Sequence, residues 1–86
     1  MVIRGRVQGV GYRYSMRARA DELGATGWVR NRRDRTVEAE VEGTGEQVEK
    51  MLAWAAEGPP MASVDGVSVT DVDPTGESGF DARPTL

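Results

Sequence analysis

The hydrophobic period of this chain switches between two and roughly 3.6 residues in an order that few topologies accept. Met1 to Val7 puts Ile3, Gly5 and Val7 on one face and Arg4 and Arg6 on the other, the pattern of a half-buried strand. Gln8 to Gly11 carries two glycines and reads as a loop. From Tyr12 the period lengthens: Tyr12, Met16, Ala20 and Leu23 share a helical face, and Gly24 stands where a C-terminal cap belongs. Thr26 to Asn31 reads as a second strand around Trp28 and Val29, and Arg32 to Arg35 as a polar turn. Val37 to Glu42 is the cleanest strand, with Val37, Ala39 and Val41 inward and three glutamates outward. Thr44 and Gln47 form the T-x-x-Q of a capping box that opens a second helix. Val48, Met51, Leu52 and Ala55 are its core stripe, and Gly58-Pro59-Pro60 ends it. Val64 to Val72 reads as a strand with a phase break between Val64 and Val67, the sign of a bulge. Phe80 to Arg83 reads as a short last strand.

The predicted order is β-α-β-β-α-β plus that extra strand. Two right-handed split βαβ units give an α+β ferredoxin-like sandwich: a four- to five-stranded antiparallel sheet with both helices on one face. Eighty-six residues suffice for one such domain, residues 1–86, around a single modest core. The fold itself serves many functions, so activity has to be argued from particular residues.

Composition removes several chemistries. The chain has neither cysteine nor histidine. That excludes a thiolate nucleophile, disulfides and the commonest general base and transition-metal ligand. No cofactor and no metal is expected. No run of about 18 apolar residues occurs, so no membrane span is expected. The first seven residues lack the apolar stretch of a secretory signal, and a cytoplasmic location is expected. Net charge is −3, unevenly divided. Residues 1–35 carry nine arginines against Asp21, Glu22 and Asp34, a balance of +6; residues 36–86 carry Lys50 and Arg83 against eleven acids, a balance of −9. A positive first third on an acidic chain points to a local anion site.

The segment Gln8-Gly9-Val10-Gly11-Tyr12-Arg13 leaves a strand and enters a helix. The first amides of a helix have no intrahelical partner, and the helix dipole adds positive potential there. Two glycines allow the backbone to curl into a nest of donors. Arg13 adds a planar, permanently charged fork suited to phosphate. On spacing alone, a glycine-bearing strand-to-helix turn with an exposed arginine explains the segment better, because glycine turns before helices are common. It is neither a dinucleotide fingerprint nor a P-loop, since the third glycine and the G-K-[ST] are missing.

Several segments taken together resemble the acylphosphatase family. Val7-Gln8-Gly9-Val10-Gly11-Tyr12-Arg13 is similar to its V-Q-G-V-x-F-R signature, Gly27-Trp28-Val29-Arg30-Asn31 to G-W-V-R-N, and Gly58-Pro59-Pro60 with Ala62 and Val64 to G-P-P-x-A-x-V. The resemblance spans nearly the whole chain and implies a ferredoxin-like fold and a monomeric hydrolase of small acyl phosphates. It implies that Arg13 and the loop Gln8, Gly9, Val10, Gly11 and Tyr12 bind the phosphoryl group, and that Asn31 orients the attacking water. Two departures stand out: Tyr12 replaces the usual phenylalanine, and Asp34-Arg35 replaces a frequent Asp-Gly in the hairpin turn. Arginine disfavours positive φ, so that turn is where strain is expected.

Other residues admit plainer readings. Glu38, Glu40 and Glu42 fit a solvated sheet face better than a metal cage. Trp28 and Trp54 fit packing roles. Arg30, Arg32 and Arg33 surround Asn31, either steering anions or solvating the turn. The competing function is a non-catalytic ferredoxin-like module binding anions or RNA. RNA readers of this fold stack bases on sheet aromatics, whereas the third strand offers glutamates. No nucleic-acid partner is therefore expected.

Overall fold

In a computed structural model that describes residues 1–85, seven elements appear in the predicted order. They are β1 (Val2–Arg6), α1 (Tyr12–Leu23), β2 (Thr26–Asn31), β3 (Val37–Glu42), α2 (Gly45–Glu57), β4 (Ser63–Ser68) and β5 (Phe80–Arg83). They form one five-stranded sheet in the order β4-β1-β3-β2-β5. The first four strands pair antiparallel, and β5 joins β2 in parallel, so the sheet is mixed. This is the ferredoxin-like α+β arrangement.

The periodicities place the core. Ile3, Val7, Val29, Val37 and Ala39 leave the sheet on one face and meet Tyr12, Met16 and Ala20 of α1 and Met51 and Ala55 of α2. Phe80 of β5 completes the cluster. Both helices begin and end as their sequences direct. Gly24 closes α1 in a left-handed conformation, and Thr44 and Gln47 form the reciprocal capping box at α2. Trp28 is also buried, but on the opposite face. It is roofed by the guanidinium groups of Arg30 and Arg83, 4.8 and 4.9 Å from its ring centroid.

The fourth strand departs from its predicted extent. It stops at Ser68, and 69–79 lacks regular structure. Its one partner is β1, with Ser68 opposite Val2, so a longer β4 would have no strand to bond. The phase break is the predicted bulge: Arg4 faces Gly66 and Gly5 faces Val64, leaving Asp65 as the extra residue.

Topology decides what the fold puts side by side. Both β1 and β2 run antiparallel to the central β3, so they are parallel to each other. Ile3 and Asn31 both lie opposite Val37. The loop after β1 and the last residue of β2 therefore emerge at the same end of the sheet, their strands about 10 Å apart across the one between them. No helix among the described residues is long and apolar enough to cross a membrane.

Candidate active site

The loop between β1 and α1 curls through left-handed conformations at Gly9 (φ 73°) and Gly11 (φ 75°). A side chain at either position would strain the backbone, which is why two glycines are needed here. Gly11 is the helix N-cap and offers no side chain to cap with. The first amide to regain a partner is that of Ser15, which donates to the Gly11 carbonyl at 3.0 Å. Among the described residues, no acceptor in the protein takes the amides of residues 9–14. Successive unpaired N–H groups at a helix start form a concave, electropositive surface.

Gln8 and Tyr12 anchor the two ends of this loop. The Gln8 Nε2 donates to the carbonyls of Arg32 and Thr36 at 2.7 and 2.9 Å, bridging to the β2–β3 turn. Its side chain is thereby spent on holding the loop against the turn, a role that sequence reasoning missed. The Tyr12 ring is buried against Trp54, with centroids 5.2 Å apart, and its hydroxyl donates to the Ala55 carbonyl at 2.7 Å. Burial pushes this phenol above its ordinary value, so it remains a neutral donor. What Tyr12 leaves to the loop is its backbone amide. Val10 packs its side chain on the core, and Gly9 and Gly11 have no side chain, so all the loop residues can face a ligand only through main-chain atoms.

Arg13 follows in the first turn of α1 and is half-buried. It makes no ion pair among the described residues; its recorded partner is the Tyr14 ring, 5.5 Å away. Asn31 is half-buried at the end of β2. It shares strand parity with the core residue Val29, so its side chain leaves on the helix-covered face. Helix α1 packs on β2, and its N-terminus lies at the end where β1 finishes. Arg13, the unpaired amides and Asn31 thus share one face and one end of the sheet. Neither Arg13 nor the Asn31 carboxamide forms a side-chain hydrogen bond among the described residues, so both retain their full capacity for a ligand.

Some of the surrounding charges are committed elsewhere. Arg30 pairs with Glu38 at 2.8 Å, and Asp34 accepts from the Thr36 amide and hydroxyl at 3.1 and 2.6 Å. Those hydrogen bonds hold the Asp34 carboxyl below its ordinary value. Glu42 at the far end of β3 gathers Thr75 and Glu77. Among the described residues, no group of three or more Asp or Glu side chains gathers as a metal cage would require.

Comparison with known proteins adds an independent line. A family model described as Acylphosphatase matches residues 1–82. An acylphosphatase of Azoarcus sp. (strain BH72) is 55% identical over 83 residues, which is 96% of this chain and 85% of that protein. One of Thermococcus kodakarensis is 54% identical over 78 residues, 91% of this chain and 86% of that protein. Among solved structures, the acylphosphatase from Bacillus subtilis superposes with a TM-score of 0.91 at 35% identity, covering 95% of this chain and 92% of that one.

Proposed function

The chain belongs to the acylphosphatase family, an enzyme family acting on small acyl phosphates, and from that premise we propose that Arg13, the amides of residues 9–13 and Asn31 carry its chemistry. The observation that carries this reading is the run of unpaired amides beside an unpaired Arg13, on the same sheet face and end as an unpaired carboxamide.

An acyl phosphate is a mixed anhydride whose leaving group is a carboxylate. So weak a base leaves without a proton, which makes general acid catalysis dispensable in a chain without histidine. What remains is positioning and charge stabilisation. The loop amides and the Arg13 fork bind the equatorial phosphoryl oxygens, in which charge accumulates as the P–O bond to the acyl group breaks. The Asn31 carboxamide holds one water in line with that bond. The water oxygen bonds to phosphorus, the carboxylate departs with the bonding electron pair, and a phosphoryl oxygen takes the proton. No step calls on a metal or cofactor.

The same reading makes the enzyme a cytoplasmic monomer with no nucleic-acid partner. In support, the outer sheet face presents Glu38 and Glu40, and the Trp28 ring on that face is covered by two arginines instead of being free to stack a base.

Two variants test the roles. Arg13→Ala weakens phosphate binding by about 2–5 kcal/mol, the cost of removing one partner of a desolvated charge pair. Asn31→Ala lowers turnover of benzoyl phosphate about 10²-fold or more while inorganic phosphate binds as before. Full turnover by Asn31→Ala would remove the water-positioning role. Hydrolysis assayed with and without chelator checks metal independence, since a loss of rate with chelator contradicts it.

A further inference from the structure

Gln8 commits both hydrogens of its amide to one turn. Its Nε2 donates to the Arg32 carbonyl at 2.7 Å and to the Thr36 carbonyl at 2.9 Å. Each of those carbonyls already accepts one main-chain bond: that of Arg32 from the Arg35 amide at 3.1 Å, that of Thr36 from the Arg32 amide at 2.9 Å. Gln8 therefore fills the second lone pair of each, and both carbonyls are saturated. The turn needs such holding, because Arg35 lies in the left-handed region at φ 72°, where an L-residue is strained.

The sheet alone ties the loop to this hairpin weakly. β1 pairs with β3 at Val2 and Ile3; past Ile3 its strand partner is β4, from Arg4 opposite Gly66 to Arg6 opposite Ser63. The strand that delivers the loop thus runs on beyond the start of β3, beside the turn. Among the described residues, the hydrogen bonds between residues 8–13 and the turn 32–36 are the two from Gln8. Asn31 directly precedes Arg32 and stands opposite Val37, the last pair of the hairpin before the turn. Packing of α1 on β2 brings the two parts together, but apolar contacts are not directional, and a site held to a fraction of an ångström needs bonds that are. The Gln8 amide supplies them, next to the residue whose carboxamide has no hydrogen bond of its own to fix it.

We infer that Gln8 is a positioning residue: it sets the distance between the Asn31 carboxamide and the loop amides, and so holds the attacking water in line with the phosphoryl group. The inference rests on the catalytic reading above and adds to it a side chain that does not touch the substrate. The chemistry of the joint also selects glutamine. Asparagine is one methylene shorter, and glutamate, equal in size, presents acceptors to two acceptors.

The experiment measures kcat for benzoyl phosphate and inhibition by inorganic phosphate in Gln8→Ala, Asn31→Ala and the double variant. Gln8→Ala lowers kcat about tenfold, as for a reacting group held slightly out of place. Phosphate inhibition stays within about twofold, because Arg13 and the amides belong to the loop and α1; it also shows that the variant is folded. In the Asn31→Ala background the same change costs less than about twofold, since the group it positions is gone. Gln8→Glu repeats the comparison at equal size. Its ionised carboxylate donates nothing, whereas the protonated acid donates once, so its kcat relative to Gln8→Ala rises as pH falls toward about 4–5. Unchanged kcat in Gln8→Ala, an equal loss with and without Asn31, or phosphate inhibition weakened as much as kcat overturns the positioning role. So does a Gln8→Glu to Gln8→Ala ratio that is flat with pH. Those results leave the catalytic reading intact if Asn31→Ala is still impaired; full turnover by Asn31→Ala overturns that reading and the role of Gln8 with it.

Discussion

The Ala55 carbonyl lies in the last turn of α2, and the residue four further on, Pro59, has no N–H to offer it. The Tyr12 hydroxyl fills that vacancy at 2.7 Å. A tyrosine in place of the family's usual phenylalanine thus finds its partner in a helix end that a proline leaves short of a donor. Tyr12→Phe keeps the ring against Trp54 but strands the carbonyl, and is expected to cost about 1–2 kcal/mol. Urea unfolding reads this as a lower midpoint with an unchanged slope; an unchanged midpoint would mean that water reaches Ala55. This partnership was half visible in sequence, since a buried hydroxyl must bond something, but its acceptor lies 43 residues away. Gln8 was less legible still. Its role depends on two carbonyls 24 and 28 residues further along, which only the folded hairpin delivers. Arg35 left a clearer trace, being an arginine where a turn of this kind favours glycine.

Elements whose signals are local were read correctly because local physics decides them. The T-x-x-Q box opens α2, glycine closes α1, and three inward and three outward residues make β3. The fourth strand was overextended because Val67, Val69 and Val72 carry strand propensity, whereas pairing requires a neighbour and β1 begins only at Val2, opposite Ser68. The segment after it is held differently. Glu42, at the end of β3, accepts from the Thr75 amide and hydroxyl and from the Glu77 amide, and Glu77 in turn pairs with Arg83 of β5 at 3.1 Å. The hydrogen bond from the Thr75 amide is the main cause of the Glu42 carboxyl lying below its ordinary value of 4.5. With the folded value depressed, this latch contributes fully above 4.5 and is lost as pH falls through the lower folded value. The Thr75 and Glu77 amide signals in NMR are therefore expected to titrate together with a midpoint below 4.5, and Glu42→Gln to abolish that step. A midpoint at or above 4.5 would show that the latch does not form.

At the scale of the molecule, the uneven charge of the sequence becomes a direction in space. Arg6 ends β1, Arg13 lies in the first turn of α1, and Arg32, Arg33 and Arg35 lie in the turn after β2, all at the end that carries the loop. Glu42 ends β3 at the opposite end, where α2 starts with Glu46 and where Asp71, Asp73 and Glu77 follow β4. The molecule extends only 28 by 24 by 21 Å, so the two charged ends are separated by roughly its length. Whether an anionic substrate senses the net −3 or the cationic end depends on screening. At an ionic strength of about 0.15 M the Debye length is about 8 Å, shorter than the molecule, so the arginines at the loop dominate the approach. Raising chloride salt toward about 1 M shortens that length to about 3 Å and removes the attraction. The kcat/KM for benzoyl phosphate is therefore expected to fall several-fold over that interval. Below about 0.05 M it should level off, because the distant acids then come within range of the substrate and oppose the arginines. A kcat/KM that rises steadily with salt would mean that net charge governs the encounter and that the cationic end does not steer it.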